Sequence, residues 1–166
     1  MHDDTTLQIG FYQADRLEST ADLLLDMSRH YNGANASSRE TVHANLRDNI
    51  LGADSGVQLV LACSADQVVG LACISLLYPA PKESAQLFMK ELYVHSGWRN
   101  AGIGAALMRW IAAYAQHKGC SRFDWTVDAD NTRALEFYRQ LGASHVSDKL
   151  YFRFGVDALA ALAGQG

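Results

Sequence analysis

The run Arg99-Asn100-Ala101-Gly102-Ile103-Gly104 has the residue types and spacing best suited to chemistry in this chain, and that chemistry is the gripping of phosphate. A strand pattern ends near Val94 and a helix pattern begins near Ile103, so the six residues occupy a strand-to-helix turn. The first amides of a helix have no partner within it, and the helix dipole is positive at that end, so anions are attracted there. Gly102 and Gly104 have no side chains to hold phosphate oxygens away from the backbone, and Arg99 adds a charge-assisted contact. Competing phosphate motifs fit badly. The dinucleotide fingerprint G-x-G-x-x-G fails at Leu107, where its third glycine belongs, and the chain has no Gly-Lys-Ser/Thr run of a P-loop. The bland reading of Gly102 and Gly104 is a tight turn and nothing more.

The elements that must carry this turn follow from periodicity. Leu7, Ile9 and Phe11 alternate with Gln8, Gly10 and Tyr12 as a strand, and Leu17, Ala21, Leu24, Leu25 and Tyr31 recur at helical spacing over residues 14–31, closed by Asn32-Gly33. Ser37-Ser38-Arg39-Glu40 reads as a capping box, Ser37 capping and Glu40 reaching back, which opens a second helix to about residue 49. Two β-rich runs, residues 57–62 and 68–77, form a hairpin across 64–67, and Pro79 and Pro81 interrupt the pattern before a strand over 86–94. In that strand the apolar Leu87, Phe88, Met89, Leu92, Tyr93 and Val94 frame Lys90 and Glu91. Ile103, Leu107, Trp110, Ile111 and Tyr114 mark one helix face that stops at Gly119. Phe123, Trp125 and Val127 alternate as a strand, residues 131–141 read as a helix closed by Gly142, residues 150–154 are β-like, and 157–163 make a terminal helical turn or two. This order predicts a single mixed α/β domain over 1–166, with its core at about 6–155 and a tail at 156–166.

Composition excludes several classes of function. The 166 residues carry a formal charge of −4 with no stripe of Lys and Arg, which sets nucleic acid aside. The mild acidic excess favours cationic partners as a field effect on encounter. Cys63, Cys73 and Cys120 are an odd set without C-x-x-C spacing, so neither a disulfide framework nor a zinc site is expected, and the six histidines show no ligand spacing, so no metal is expected. Residues 1–4 carry acid where a secretory signal carries Lys or Arg, and the longest nearly apolar run, residues 68–78, is too short for a bilayer. The expectation is a cytoplasmic protein with no membrane partner.

Arg99, Gly102 and Gly104 resemble the R/Q-x-x-G-x-G/A diphosphate loop of the GNAT superfamily of acyl-CoA-dependent N-acyltransferases. The run from Asn131 through Ala134, Phe137 and Tyr138 to Gly142-Ala143 is similar to that superfamily's later N-x-x-A-x-x-F-Y-x-x-x-G-A helix. The resemblance covers residues 57–154 well and the first fifty only through their strand-helix-helix order. It implies a mixed, mostly antiparallel sheet that splays between its fourth and fifth strands, flanked by helices, with acetyl-CoA as cosubstrate in the gap. It also implies that Arg99, Asn100, Ala101, Gly102, Ile103 and Gly104 bind the diphosphate, with Leu92, Val94, Asn131 and Tyr138 completing the cofactor contacts.

Acyl transfer from a thioester to an amine needs a neutral amine, a held oxyanion and a proton for the leaving thiolate. The resemblance assigns the oxyanion to a backbone amide near Leu92 or Val94, and the proton to Tyr138, whose phenol is protonated at neutral pH. A plain packing role for Tyr138 beside Leu135, Phe137 and Leu141 is the alternative. Glu91 is the candidate base. Several members of the superfamily carry a glutamate four residues before the valine equivalent to Val94; here that place is Lys90, so Glu91 falls on the opposite strand face unless a bulge intervenes. Otherwise Glu91 is a solvated or Lys90-paired strand residue. Asp124, Asp128 and Asp130 either attract a cationic acceptor or cap and solvate their loop, and Trp125 is core or a cation–π partner.

Residues 123–131 look most like the branch holding diamine, thialysine and histone/polyamine acetyltransferases, which implies a small-molecule or peptidyl amine acceptor, polyamine-like or lysine-like. The superfamily also implies a homodimer. The rivals are a non-catalytic acyl-CoA-binding sensor and a nucleotide-phosphate binder unrelated to coenzyme A.

Overall fold

The computed structural model describes residues 6–164, and the acidic start read at residues 1–4 lies outside them. The chain divides into two compact units, residues 1–126 and 127–166. The first holds β1 (Gln8–Phe11), α1 (Leu17–Asn32), α2 (Arg39–Asn45) with a wide turn Leu46–Ile50 after it, β2 (Gln58–Ser64), β3 (Gln67–Ala80), β4 (Ser84–Val94), α3 (Ile103–His117) and β5 (Cys120–Trp125). Sheet order equals chain order; β1 to β4 are antiparallel, and β5 lies parallel to β4. Only that last pairing needs a long crossover, and α3 supplies it.

Both faces of the sheet are covered, which explains why β2 and β3 read as nearly continuous apolar runs. Leu59, Leu61, Leu71 and Tyr93 join Ala21, Leu24 and Leu25 of α1 and Val42 of α2 in one cluster. Burying a Leu in such a cluster stabilises the fold by about 1.5–3 kcal/mol. α3 covers the opposite face with Ile103, Leu107, Met108 and Ile111 buried. It packs so closely that a Cβ at Gly70 would lie 3.0 Å from Ile103 Cγ2 and 3.2 Å from Leu107 Cδ1.

Two departures from regular pairing shape β4. The β3–β4 register passes from Ile74↔Met89 to Cys73↔Glu91, so Lys90 is an extra residue opposite no partner. Such a bulge reverses the alternation beyond it. Leu92 and Val94 therefore share the α3 side with Gly70, while Glu91 and Tyr93 face α1 and α2. The β4–β5 ladder ends at Met89↔Trp125, yet β4 continues along β3 to Val94, so the sheet opens past Met89.

The structure corrects several expectations. The cap of α2 is Ser38, whose Oγ accepts the Thr41 amide at 3.1 Å, while the Ser37 amide donates to Ser28 Oγ at 3.1 Å. Two adjacent serines offered the same chemistry, and tertiary contact chose between them. β3 does not stop before Pro79 but runs through a cis Tyr78–Pro79 bond to Ala80; Pro81 then opens a short turn. β5 ends at Trp125, leaving Val127 outside it.

The second unit holds α4 (Thr132–Gln140) and α5 (Val156–Ala163). Asn131 caps α4, its Oδ1 accepting the Ala134 amide at 3.1 Å. The strand expected at 150–154 does not form, and Leu150, Tyr151, Phe152 and Phe154 are exposed. Their β-like pattern reports side-chain preference, whereas a strand also needs a ladder partner.

Candidate active site

A short turn, Ser96–Trp98, leads from β4 to Arg99. Asn100 and Gly102 then take positive φ, 65° and 77°. Gly102 is the residue before α3, with no side chain to cap it, and no acid stands in the first turn. The first helical bond runs from the Ala106 amide to the Gly102 carbonyl at 3.0 Å, so the amides of Ile103, Gly104 and Ala105 precede it. An uncapped, unscreened helix start beside an arginine is a fit for a diphosphate.

The open edge of β4 continues the same surface. The His95 amide donates to Val69 O at 2.9 Å. Antiparallel alternation then aims the amides of Tyr93 and Glu91 at β3, and those of Leu92 and Val94 at the edge β5 has left, where the Leu92 amide also meets the Glu91 carboxyl. Arg99 returns to this edge, its Nε donating to Val94 O at 3.4 Å.

Glu91, turned by the bulge toward α1, accepts a hydrogen bond from Tyr31 Oη at 3.1 Å. Burial pushes its carboxyl above the ordinary glutamate value, a rise only partly offset by Tyr31, the Leu92 amide and Lys90. A carboxylate so raised is a stronger base than a solvated one. Tyr31 also lines a cavity of about 840 Å³ between α1 and α2, along with Ser28, Glu40, Thr41, Asn45 and Asp48. Two of those six side chains are acids, although Asp48 is engaged by Arg47, Nε to Oδ1 at 2.6 Å.

Behind the loop lies a second polar cluster. Asp26 on α1 accepts from Tyr93 Oη at 2.8 Å and from the Ser96 amide at 3.3 Å through Oδ2, and from Ser96 Oγ at 3.3 Å through Oδ1. Tyr93 Oη in turn accepts from Arg99 Nη2 at 3.4 Å, and the guanidinium carbon stands 5.6 Å from the Tyr93 ring centroid. Burial opposes ionisation of Asp26, but the bonds from Tyr93 and Ser96 and the nearby His95 outweigh it and hold the carboxyl below its ordinary value. Burial, then the Asp26 bond, pushes the Tyr93 phenol up to about 12.

The first unit therefore gathers Glu91, Leu92, Val94, Arg99, Asn100, Ala101, Gly102, Ile103 and Gly104 along one strand end and the turn that follows. Tyr138 and Asn131 belong to the second unit, on α4 and at its cap; the Tyr138 ring lies 5.1 Å from that of Phe137. Asp124 is engaged by Gln86 Nε2 at 2.7 Å and Arg122 Nε at 3.4 Å, so it is held within the sheet rather than offered to an acceptor. Trp125 packs with Phe123, centroids 5.0 Å apart. Among the described residues no group of three or more His, Cys, Asp or Glu is placed to hold a metal. Sequence reasoning missed Asp26 and the polar roles of Tyr31 and Tyr93. The only signal was an acid set inside the apolar run Leu23-Leu24-Leu25-Asp26-Met27.

This sheet, open past Met89 and followed by an uncapped helix start, is that of an acyltransferase fold. Residues 21–143 match the Acetyltransferase (GNAT) family, and the chain belongs to that family. It is 32% identical over 101 residues to the thialysine N-epsilon-acetyltransferase of Mus musculus, a match spanning 59% of this chain and 59% of that one, so it takes in about three fifths of the relative's length. It is 29% identical over 112 residues to an aminoglycoside N(6')-acetyltransferase type 1 of Stenotrophomonas maltophilia, across 65% of this chain and 73% of that one. Among solved structures, an integron cassette protein from the mobile metagenome of V. cholerae superposes with a TM-score of 0.91 at 34% identity, covering 95% of this chain and 97% of that one.

Proposed function

We propose that the chain acts as one domain, an N-acetyltransferase moving acetyl from acetyl-CoA to a primary amine by direct attack in a ternary complex. The observation that carries this reading is the continuity of the open β4 edge at Leu92 and Val94 with Arg99 and the uncapped start of α3. In this reading Arg99 and the turn from Asn100 to Gly104 hold the diphosphate. The Leu92 or Val94 amide bonds the thioester carbonyl oxygen and steadies the charge that develops there. Glu91 accepts a proton from the attacking amine, the new C–N bond forms as the C–S bond breaks, and Tyr138 gives its phenolic proton to the departing sulfur. Asn131 adds a cofactor contact from the cap of α4.

The acceptor is a small amine, polyamine-like or lysine-like, seated in the cavity between α1 and α2. Glu40 at its wall supports a cation, Asp48 being already paired with Arg47, and so do relatives named for thialysine, aminoglycosides and L-ornithine. The reading includes a cytoplasmic setting, supported by three cysteines without a disulfide, and a homodimer.

The test is a panel of amines (spermidine, thialysine, lysine, ornithine, an aminoglycoside and a histone-tail peptide) incubated with acetyl-CoA while free thiol is followed. At least one small diamine or amino acid should release thiol in proportion to protein. With that acceptor, Tyr138→Phe should keep acetyl-CoA affinity and lower kcat roughly ten- to ten-thousand-fold; an unchanged kcat removes Tyr138 from the mechanism. Acetyl-CoA binding with silence across the panel would favour a sensor.

A further inference from the structure

We propose that Asp26 and Tyr93 are positioning residues that hold Arg99 ready for the diphosphate, so that α1 sets the affinity of the loop before α3. The inference rests on the reading of Arg99 as a diphosphate ligand.

An arginine side chain left to itself samples many rotamers, and ordering it on binding weakens affinity. Here the guanidinium is held in advance by two groups: Nε donates to Val94 O and Nη2 to Tyr93 Oη, both at 3.4 Å, with the guanidinium carbon 5.6 Å from the Tyr93 ring centroid. Tyr93 can do this only because its own hydroxyl proton is directed elsewhere, to Asp26 at 2.8 Å, which leaves the oxygen lone pairs for Arg99. A phenol donating to a carboxylate is also a stronger acceptor, since chained hydrogen bonds polarise one another. The second oxygen and the first together hold Ser96, the residue that starts the turn into the loop. Tyr93 is 4% exposed, so its place is set by the core rather than by solvent. Asp26 thus reaches the loop by two routes, through Tyr93 and through Ser96.

The same helix meets the acceptor cavity with Ser28 and Tyr31, within two turns of Asp26. The Tyr31 and Tyr93 rings lie 6.2 Å apart. One rigid element therefore bears on both proposed subsites.

The experiment is calorimetric titration of acetyl-CoA into wild type, Asp26→Asn, Tyr93→Phe, Arg99→Ala and the double variants Asp26→Asn/Arg99→Ala and Tyr93→Phe/Arg99→Ala, with the unfolding midpoint of each recorded. It needs no acceptor. Arg99→Ala should weaken binding roughly ten-fold or more. Asp26→Asn and Tyr93→Phe should each weaken it about two- to thirty-fold alone and by nothing further once Arg99 is gone. Tyr93→Phe keeps the ring and only deletes the hydroxyl, so it carries the test if Asp26→Asn does not fold. An unchanged affinity in Arg99→Ala overturns the diphosphate reading itself. A loss in Arg99→Ala with none in the other two, or with equal losses whether or not Arg99 is present, overturns the positioning role and leaves the diphosphate reading standing.

Discussion

Glu91 can serve as a base only in its ionised form, and burial makes that form harder to reach than for an ordinary glutamate. Two effects of pH follow. Activity should rise with pH through a group titrating above the usual glutamate range, and Glu91→Gln should lower kcat and remove that limb; a profile unchanged in the variant would exclude Glu91 as base. The stability effect has the opposite sign. Because folding raises this carboxyl, the native state is favoured while the group is protonated, and that advantage declines as pH climbs from the unfolded value through the folded one. Glu91→Gln should flatten this decline in a series of unfolding midpoints. The turn from Arg99 through Gly102 to Gly104 was legible because its parts lie within six residues and their neighbours announce a strand and a helix. Asp26 was not, since its partner Tyr93 is 67 positions away and no local pattern links them.

β4 shows what periodicity can and cannot tell. Its apolar residues announce a strand, but nothing in Met89-Lys90-Glu91 declares which residue is extra, and the choice of Lys90 decides the face on which Glu91 stands. Conversely, residues 150–154 advertise a strand and make none, because pairing depends on a neighbour and not on composition. α3 was read in full, since its apolar stripe and Gly119 are local signals. Its closeness to the sheet was not, and Gly70 is the residue that permits it. Gly70→Ala would place a methyl 3.0 Å from Ile103 Cγ2, one residue past the Gly102 turn. Overpacking of this kind costs about 1–3 kcal/mol. The variant should unfold roughly 2–4 °C lower for each kcal/mol lost, as the Ile103 and Leu107 side chains are pushed aside. An unaltered midpoint would mean the helix has more slack than this packing allows.

The family match and the sheet order place the chain among GNAT acetyltransferases, and the features outside that shared frame concern association and sulfur. Leu150, Tyr151, Phe152 and Phe154 are each more than half exposed within five positions, and the proposed homodimer would be the place to cover them. Light scattering should then return twice 18.2 kDa, and Leu150→Asp with Phe152→Asp should return a single copy; a wild-type mass of one chain would dismiss the dimer. The three cysteines carry a separate consequence. Burial raises all three thiols, and that of Cys73, with Glu91 adding its charge, to about 12. Thiolate is the reactive form, so Cys73 should be almost silent toward an aromatic disulfide reagent in the native protein, and all three equivalents should appear only in denaturant. A colorimetric assay of the proposed turnover would then draw almost no colour from the thiol that lies beside Glu91.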